Sequence, residues 1–277
     1  MSNNRFRIGV VAPGSPIEPT IAEQVKAVAA DLYPGRIPEI HFHPQCFLSS
    51  GHFAGDDAVR ADAFVEIAND PDFDALWFAR GGYGSCRLIE SLLPRLSAAA
   101  TEKTYLGYSD AGSLLGALYN RGFGGLAHGP MPIDIGRNGG GAAIARALRF
   151  LIDRDSGSLE GSITPATRNA AFNITILSHL LGTPFQPDLS GHVLMLEEIT
   201  EHMYRIDRAL FHITSNPGIR RVAGIRLGRC GDIPPNDPDF GQSEEDVTRH
   251  WCGVAGIAYL GRADIGHDTD NKVVPFG

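Results

Sequence analysis

The sequence predicts an α/β protein in two parts, a parallel-sheet domain followed by a smaller α+β, barrel-like domain. Three observations predict it. Strand-like and helix-like segments alternate regularly through the first half. One candidate strand, Ala75-Leu-Trp-Phe-Ala79, is a continuous apolar run, as a strand buried on both faces reads. Beyond a polar, turn-rich stretch, segments of strand character dominate.

The elements follow in order. Arg7 to Ala12 is apolar and β-rich and ends in the turn Pro13-Gly-Ser-Pro16. Thr20 to Leu32 has helical periodicity, with Ile21, Val25, Val28 and Ala29 on one face. Ile37 to Phe42 reads as the second strand, and Asp57 to Ala68 as a helix with Val59, Ala63, Phe64 and Ile67 inward. Ala75 to Ala79 follows as a strand, Cys86 to Leu93 as a helix, and Thr104 onward as the next strand–helix pair. The first domain is thus expected over residues 1–155, with a connector at 156–167. The second domain, 168–277, has strand-like segments at Val193–Ile199, Arg221–Leu227 and Gly256–Leu260, and one amphipathic helix at Met203–Thr214. In parallel sheets, sites gather at the carboxyl ends of the strands. Arg80-Gly-Gly-Tyr-Gly84 and the turn at Ser109 both begin there.

Composition excludes several classes. A formal net charge of −8 argues against a nucleic-acid partner, because phosphate binding needs a basic surface. No run approaches the roughly 18 apolar residues of a membrane span. The apolar stretch Ile8–Ala12 meets Pro13 too soon for a secretory leader, so a cytoplasmic location is expected. The four cysteines, Cys46, Cys86, Cys230 and Cys252, contain no CxxC pair, which argues against a disulfide framework or structural zinc. His41, His43, Cys46 and His52 could be drawn as a metal site. However, His41 and His43 alternate as strand neighbours and no carboxylate is in register, so no metal is expected.

Thr104-Tyr-Leu-Gly-Tyr-Ser-Asp-Ala-Gly-Ser113 carries the chemistry. A strand runs through Gly107 and a sharp turn into an apolar helix, with Ser109 at the turn and small residues two positions either side. That is the architecture of a nucleophile elbow, in which the next N–H, from Asp110, points toward a forming oxyanion. The plainer reading is a Ser-Asp helix cap at a βα junction.

A serine nucleophile needs a base, and the base an orienting acid. Val193-Leu-Met-Leu-Glu-Glu-Ile199 ends in Glu197 and Glu198, which strand alternation sends to opposite faces, so at most one faces a cleft. His267 sits in the Gly-flanked loop Gly261-Arg-Ala-Asp-Ile-Gly-His-Asp268, and His128 is a rival base. Spacing alone leaves both choices open.

Taken together, Arg80-Gly-Gly-Tyr-Gly84, Gly107-Tyr-Ser-Asp110, His128-Gly-Pro-Met131, Leu194-Met-Leu-Glu-Glu198 with Glu201, and Gly266-His267 resemble, in order, the LD-carboxypeptidase family of serine peptidases. That family includes the microcin C immunity peptidases. Leu181-Gly-Thr-Pro184 and Tyr204-Arg-Ile-Asp-Arg208 extend the resemblance over nearly the whole chain. It implies a flavodoxin-like first domain supplying Ser109 as nucleophile and a second domain supplying Glu197 as acid and His267 as base. It also implies an oxyanion hole from the Asp110 N–H and the Gly81-Gly82 turn, no metal or organic cofactor, and a homodimer. The implied substrate is murein tetrapeptide, a small muropeptide cut at an L–D amide to release D-alanine during wall recycling. Arg80 and Asn173 are candidates for substrate binding.

Two departures stand out. The family's Gly-Gly-Asn-Leu appears as Ala171-Phe-Asn-Ile174, with bulky Phe172 expected to reshape the cleft wall. The chain also ends at Gly277, soon after His267, which puts the rigidity of that loop in question. The alternatives are a peptidase for peptidyl-nucleotide or acyl-amino conjugates, an enzyme using Cys86 at a helix start, and a ligand-binding module without turnover. The first ranks lower because Trp77, in a buried strand, leaves little aromatic surface for stacking a base.

Overall fold

The computed structural model describes residues 5–277. Its first sheet has six strands in the order β10-β5-β4-β3-β1-β2. These are β1 (Arg7–Val11), β2 (Glu39–Phe42), β3 (Ala75–Phe78), β4 (Thr104–Gly107), β5 (Leu126–His128) and, from the far end of the chain, β10 (Val274–Pro275). The strands β1 to β5 are parallel, and β10 pairs antiparallel with β5. The parallel order 2-1-3-4-5 is the flavodoxin-like arrangement the resemblance implied.

Helices cover both faces. α1 (Pro19–Leu32) and α6 (Gly140–Asp153) lie on one side, where Val25, Ala29, Ile144 and Leu148 meet Ala75 and Trp77. α2 (Asp57–Asn69), α3 (Ile89–Leu92), α4 (Ala98–Thr101) and α5 (Gly112–Asn120) lie on the other, where Phe64, Ile67, Leu88 and Leu114 meet Leu76 and Phe78. Successive residues of β3 therefore serve opposite cores, which is why the strand is apolar throughout.

The second sheet has four parallel strands, β6 (Arg168–Asn173), β7 (His192–Ile199), β8 (Gly224–Gly231) and β9 (Tyr259–Arg262), in sequence order. The expected barrel-like curvature takes the form of this open layer. It is crossed by α7 (Ile174–Leu180), α8 (Met203–Ser215) and α9 (Glu244–Ala255). The strand character expected beyond residue 168 is thus interleaved with three helices. α9 had a readable signal: Ser243 and Asp246 form a reciprocal capping box, and Gly256 closes the other end in the left-handed conformation. The chain then leaves the second sheet, and β10 completes the first. That return brings the segment after β9 across the junction between the sheets.

Candidate active site

The strand order of the first sheet reverses between β1 and β3, the point at whose carboxyl ends open parallel sheets place their sites. Three turns meet there. Gly14, after β1, lies so close to the Gly81 carbonyl that an added Cβ would come within 2.7 Å of it. Gly81, after β3, abuts Ser109: a Cβ there would lie 2.8 Å from the serine Oγ and 3.4 Å from the Asp110 nitrogen. Glycine at 81 is required by this approach, and its backbone lines the place where the expected oxyanion donors were drawn. Gly82, with φ 98°, carries the turn onward against Ser15.

Ser109 follows β4 with φ 59°, a conformation that costs a non-glycine residue about 1 kcal/mol or more. The chain turns at once into the single-turn helix Ser109–Ala111 and then α5. Gly107 is small for a reason outside the turn: its Cβ would strike the Phe78 ring at 2.6 Å. The Asp110 side chain is buried, and its Oδ2 accepts the Ser85 N–H at 2.9 Å, tying the elbow to the far end of the Gly81–Ser85 turn. Burial pushes that carboxyl upward.

Glu197 and Glu198 do part company. The β7 face bearing Met195 packs against Ile265 and Val274, part of the segment that carries His267. Glu197 shares that face, is fully buried, and its Oε2 lies 2.6 Å from His267 Nδ1. Opposite it, two steps of β7 (Leu196 to Glu198) are matched by three of β8 (Leu227 to Cys230). Such a bulge re-aims side chains. Gly228, within it, allows both Glu197 and Ile265 to approach. Glu198 faces the other way and accepts from Asn173 Nδ2 at 2.6 Å, Thr175 N and Oγ1 at 2.9 and 2.7 Å, and Ile199 N at 2.9 Å. Those bonds join the ends of β6 and β7.

His267 is only 9% exposed. Burial alone would lower its basicity, but Glu197, by charge and hydrogen bond, together with Glu198 and Asp134, raises it above the ordinary histidine value. The imidazole also lies 4.8 Å from the Tyr108 ring, centroid to centroid, beside Ser109. The structure thus joins Glu197 to His267 and brings the imidazole against the turn that holds Ser109, while no direct hydrogen bond links Ser109 Oγ to the imidazole. Hydroxyl–imidazole contacts of this kind commonly tighten only with substrate.

The loop holding His267 is braced by side chains from β8, from α6 and from within the loop. Arg229 pairs with Asp264 and Asp268, Arg146 donates to the carbonyls of Thr269 and Asn271, and Asn271 Oδ1 accepts the Gly266 N–H. The sequence reading missed these braces, because ion pairs between distant residues leave no local pattern. His128, the rival base, is buried against Asn271, and burial pulls it down to about 4.

The remaining candidates fall as follows. Arg80 is exposed at the end of β3 and donates to the Pro16 carbonyl at 3.1 Å. Asn173 is buried, capping α7 through the Ile176 N–H while donating to Glu198. Phe172 is not in a cleft wall: it is core, packed on Phe276 and facing Gly112 and Gly116 of α5. Cys86 is exposed, but partial desolvation of its thiol and the nearby Asp110 raise its pKa, the opposite of an activated thiolate. His43 Nδ1 caps the Pro44–Phe47 turn, and no metal-holding cluster occurs among the described residues.

A parallel sheet of this order is thus joined to a second unit that sets a glutamate–histidine pair against the turn holding Ser109. The chain belongs to the LD-carboxypeptidase family: residues 8–129 match its N-terminal domain and 170–277 its C-terminal domain. It is similar to a chain of Synechocystis named as a carboxypeptidase, 30% identical over 98% of this chain and 89% of the other. It also resembles the murein tetrapeptide carboxypeptidase of Pseudomonas aeruginosa, at 24% identity over 98% and 91%. Among solved structures, the muramoyltetrapeptide carboxypeptidase of Oxalobacter formigenes shares the fold with a TM-score of 0.78, at 24% identity over 97% and 93% of the two chains. The microcin C7 self-immunity protein MccF shares it with a TM-score of 0.79, at 17% identity over 98% and 91%.

Proposed function

We propose that this protein is a serine LD-carboxypeptidase that releases D-alanine from murein tetrapeptide, acting in the cytoplasm as a homodimer during wall recycling. The observation that carries the reading is the 2.6 Å Glu197–His267 contact, delivered by the second unit to the turn that holds Ser109. In this mechanism Ser109 Oγ attacks the carbonyl carbon on the L-configured side of the L–D amide, and His267 Nε2 takes the hydroxyl proton. Glu197 holds the Nδ1–H, fixing the tautomer and stabilising the imidazolium. The oxyanion forms against the Asp110 N–H and an N–H of the Gly81-Gly82 turn, each donor worth about 3 kcal/mol. His267 then protonates the departing amine, and water, activated by the same imidazole, hydrolyses the acyl-enzyme. Arg80 is the proposed anchor for a substrate carboxylate.

The test is stereochemical. Murein tetrapeptide and its diastereomer ending in L-alanine are incubated with the protein and analysed by mass spectrometry. Release of alanine from the first alone supports the reading, and an intact tetrapeptide contradicts it.

A second reading, cleavage of peptidyl-nucleotide or related acyl-amino conjugates, is favoured by one feature. Tyr83, 51% exposed, and His52 stand with Phe53 beside the Gly82 turn, an aromatic surface that the burial of Trp77 had led us not to expect. Parallel assay of an aminoacyl sulfamoyl adenosine separates the two.

A further inference from the structure

The residue before the proposed nucleophile contributes to the site in its own right. Tyr108 turns its ring into the junction between the two sheets, 4.8 Å from the His267 imidazole at 58° and 5.5 Å from the His128 ring at 61°. Its hydroxyl donates to Asp134 Oδ1 at 2.8 Å. That carboxylate, 0% exposed, also receives the Met131 N–H at 2.9 Å and the Arg137 Nε–H at 3.1 Å. Asp134 lies in the single-turn helix Pro132–Gly136, after β5.

A phenylalanine over an apolar floor would fill this space without burying a carboxylate, which is costly unless fully bonded. A buried phenol–carboxylate pair instead fixes a direction. The need for one follows from the geometry of the base. A single hydrogen bond from Nδ1 to Glu197 leaves the imidazole able to swing about that bond. A ring packed against its face removes the swing. Because Tyr108 is covalently joined to Ser109, the plane of the base is set relative to the nucleophile although the two come from different ends of the chain.

We propose that Tyr108 and Asp134 are positioning residues for His267: the Tyr108 ring sets the plane of the imidazole, and Asp134 holds the Tyr108 hydroxyl and sets its negative charge behind that phenol. Its catalytic meaning rests on the serine-peptidase reading, whereas the positioning itself belongs to the folded chain. The titratable and charged groups around His267 are Glu197, bonded to it from β7, Glu198 on the opposite face of the same strand, Asp134 from its single-turn helix, His128 from β5 and Tyr108 from the elbow, with Arg229 and Asp268 flanking its own loop.

The experiment titrates the His267 imidazole by NMR in the full chain without substrate. It compares wild type, Asp134→Asn, Tyr108→Leu and Tyr108→Phe, with kcat and KM on murein tetrapeptide measured alongside. Asp134→Asn keeps an acceptor for the phenol but removes the charge, and should lower the His267 midpoint by about half a pH unit. Tyr108→Leu should broaden the imidazole signals and cut kcat about tenfold with KM nearly unchanged, and Tyr108→Phe, which keeps the ring but loses its bond to Asp134, should recover part of both. An unmoved midpoint in Asp134→Asn, or sharp wild-type signals in Tyr108→Leu, would overturn the proposal. Should Tyr108→Leu not fold, the Asp134→Asn midpoint decides alone. If the wild type leaves the tetrapeptide intact, the functional reading fails while the titration still judges this one.

Discussion

His267 Nδ1 sits 2.6 Å from Glu197 Oε2 although the residues lie 70 positions apart. The contact exists because the chain, after β9, crosses the Glu197-bearing face of β7 on its way to β10 in the other sheet. Glu198, one residue on, faces the opposite way and serves the structure instead.

That division gives the first prediction. Glu197→Gln should lower kcat by about 10²- to 10⁴-fold with little change in stability, since it disturbs the tautomer of the base. Glu198→Gln should do the reverse, costing about 1–3 kcal/mol by disrupting a buried hydrogen-bond network while leaving most of kcat. Steady-state kinetics and urea unfolding of both variants check it, and equal kinetic losses would contradict it.

To act as the proposed base His267 must be neutral, and, although burial opposes it, Glu197 beside it raises its folded pKa above the ordinary 6.5. The acidic limb of kcat/KM should therefore lie above pH 6.5, with activity rising as pH increases through it. Glu197→Gln should move that limb downward. The sign for stability is the opposite: this histidine's contribution is present below its unfolded pKa and fades as pH rises through the folded one. A limb below pH 6 in the wild type would contradict the assignment.

His128 titrates the other way. Held neutral down to about 4, it binds no proton between pH 6.5 and 4 while the unfolded chain does. Stability should fall with pH across that window, by about 3 kcal/mol from this residue alone. Comparing the unfolding free energies of wild type and His128→Gln at pH 7 and 4.5 checks it. The variant should show the shallower loss.

Gly81→Ala places a methyl group on the Ser109 hydroxyl. Activity should drop by about 10²-fold or more through kcat, with the cooperative unfolding transition retained. Far-ultraviolet circular dichroism together with turnover measures both. Undiminished turnover would remove Gly81 from the site.

Much of this was legible before any coordinates. The apolar run Ala75–Ala79 gave away a doubly buried strand, and the elbow could be read at Ser109 because strand, glycine and helix are local signals. The resemblance chose Glu197 over Glu198, a choice that alternation could not make, because which β7 face matters depends on where residues 263–274 pass. Tyr108, Asp134 and the Arg229 brace left no trace in the sequence for the same reason: each acts through a partner at least 26 positions away. Phe172 was misplaced because a departure from a motif was read as a change in the cleft, whereas its neighbours in space are Phe276 and α5. The helix α9 was missed in plain view, its capping box overlooked amid acidic residues.

The most direct measurement of the central claim is D-alanine released from murein tetrapeptide by wild type and by Ser109→Ala, followed by mass spectrometry, with thermal unfolding as a control for folding. The account expects release by the wild type and a loss of about 10³-fold or more in the variant at an unchanged Tm. Equal release by the two proteins would contradict it.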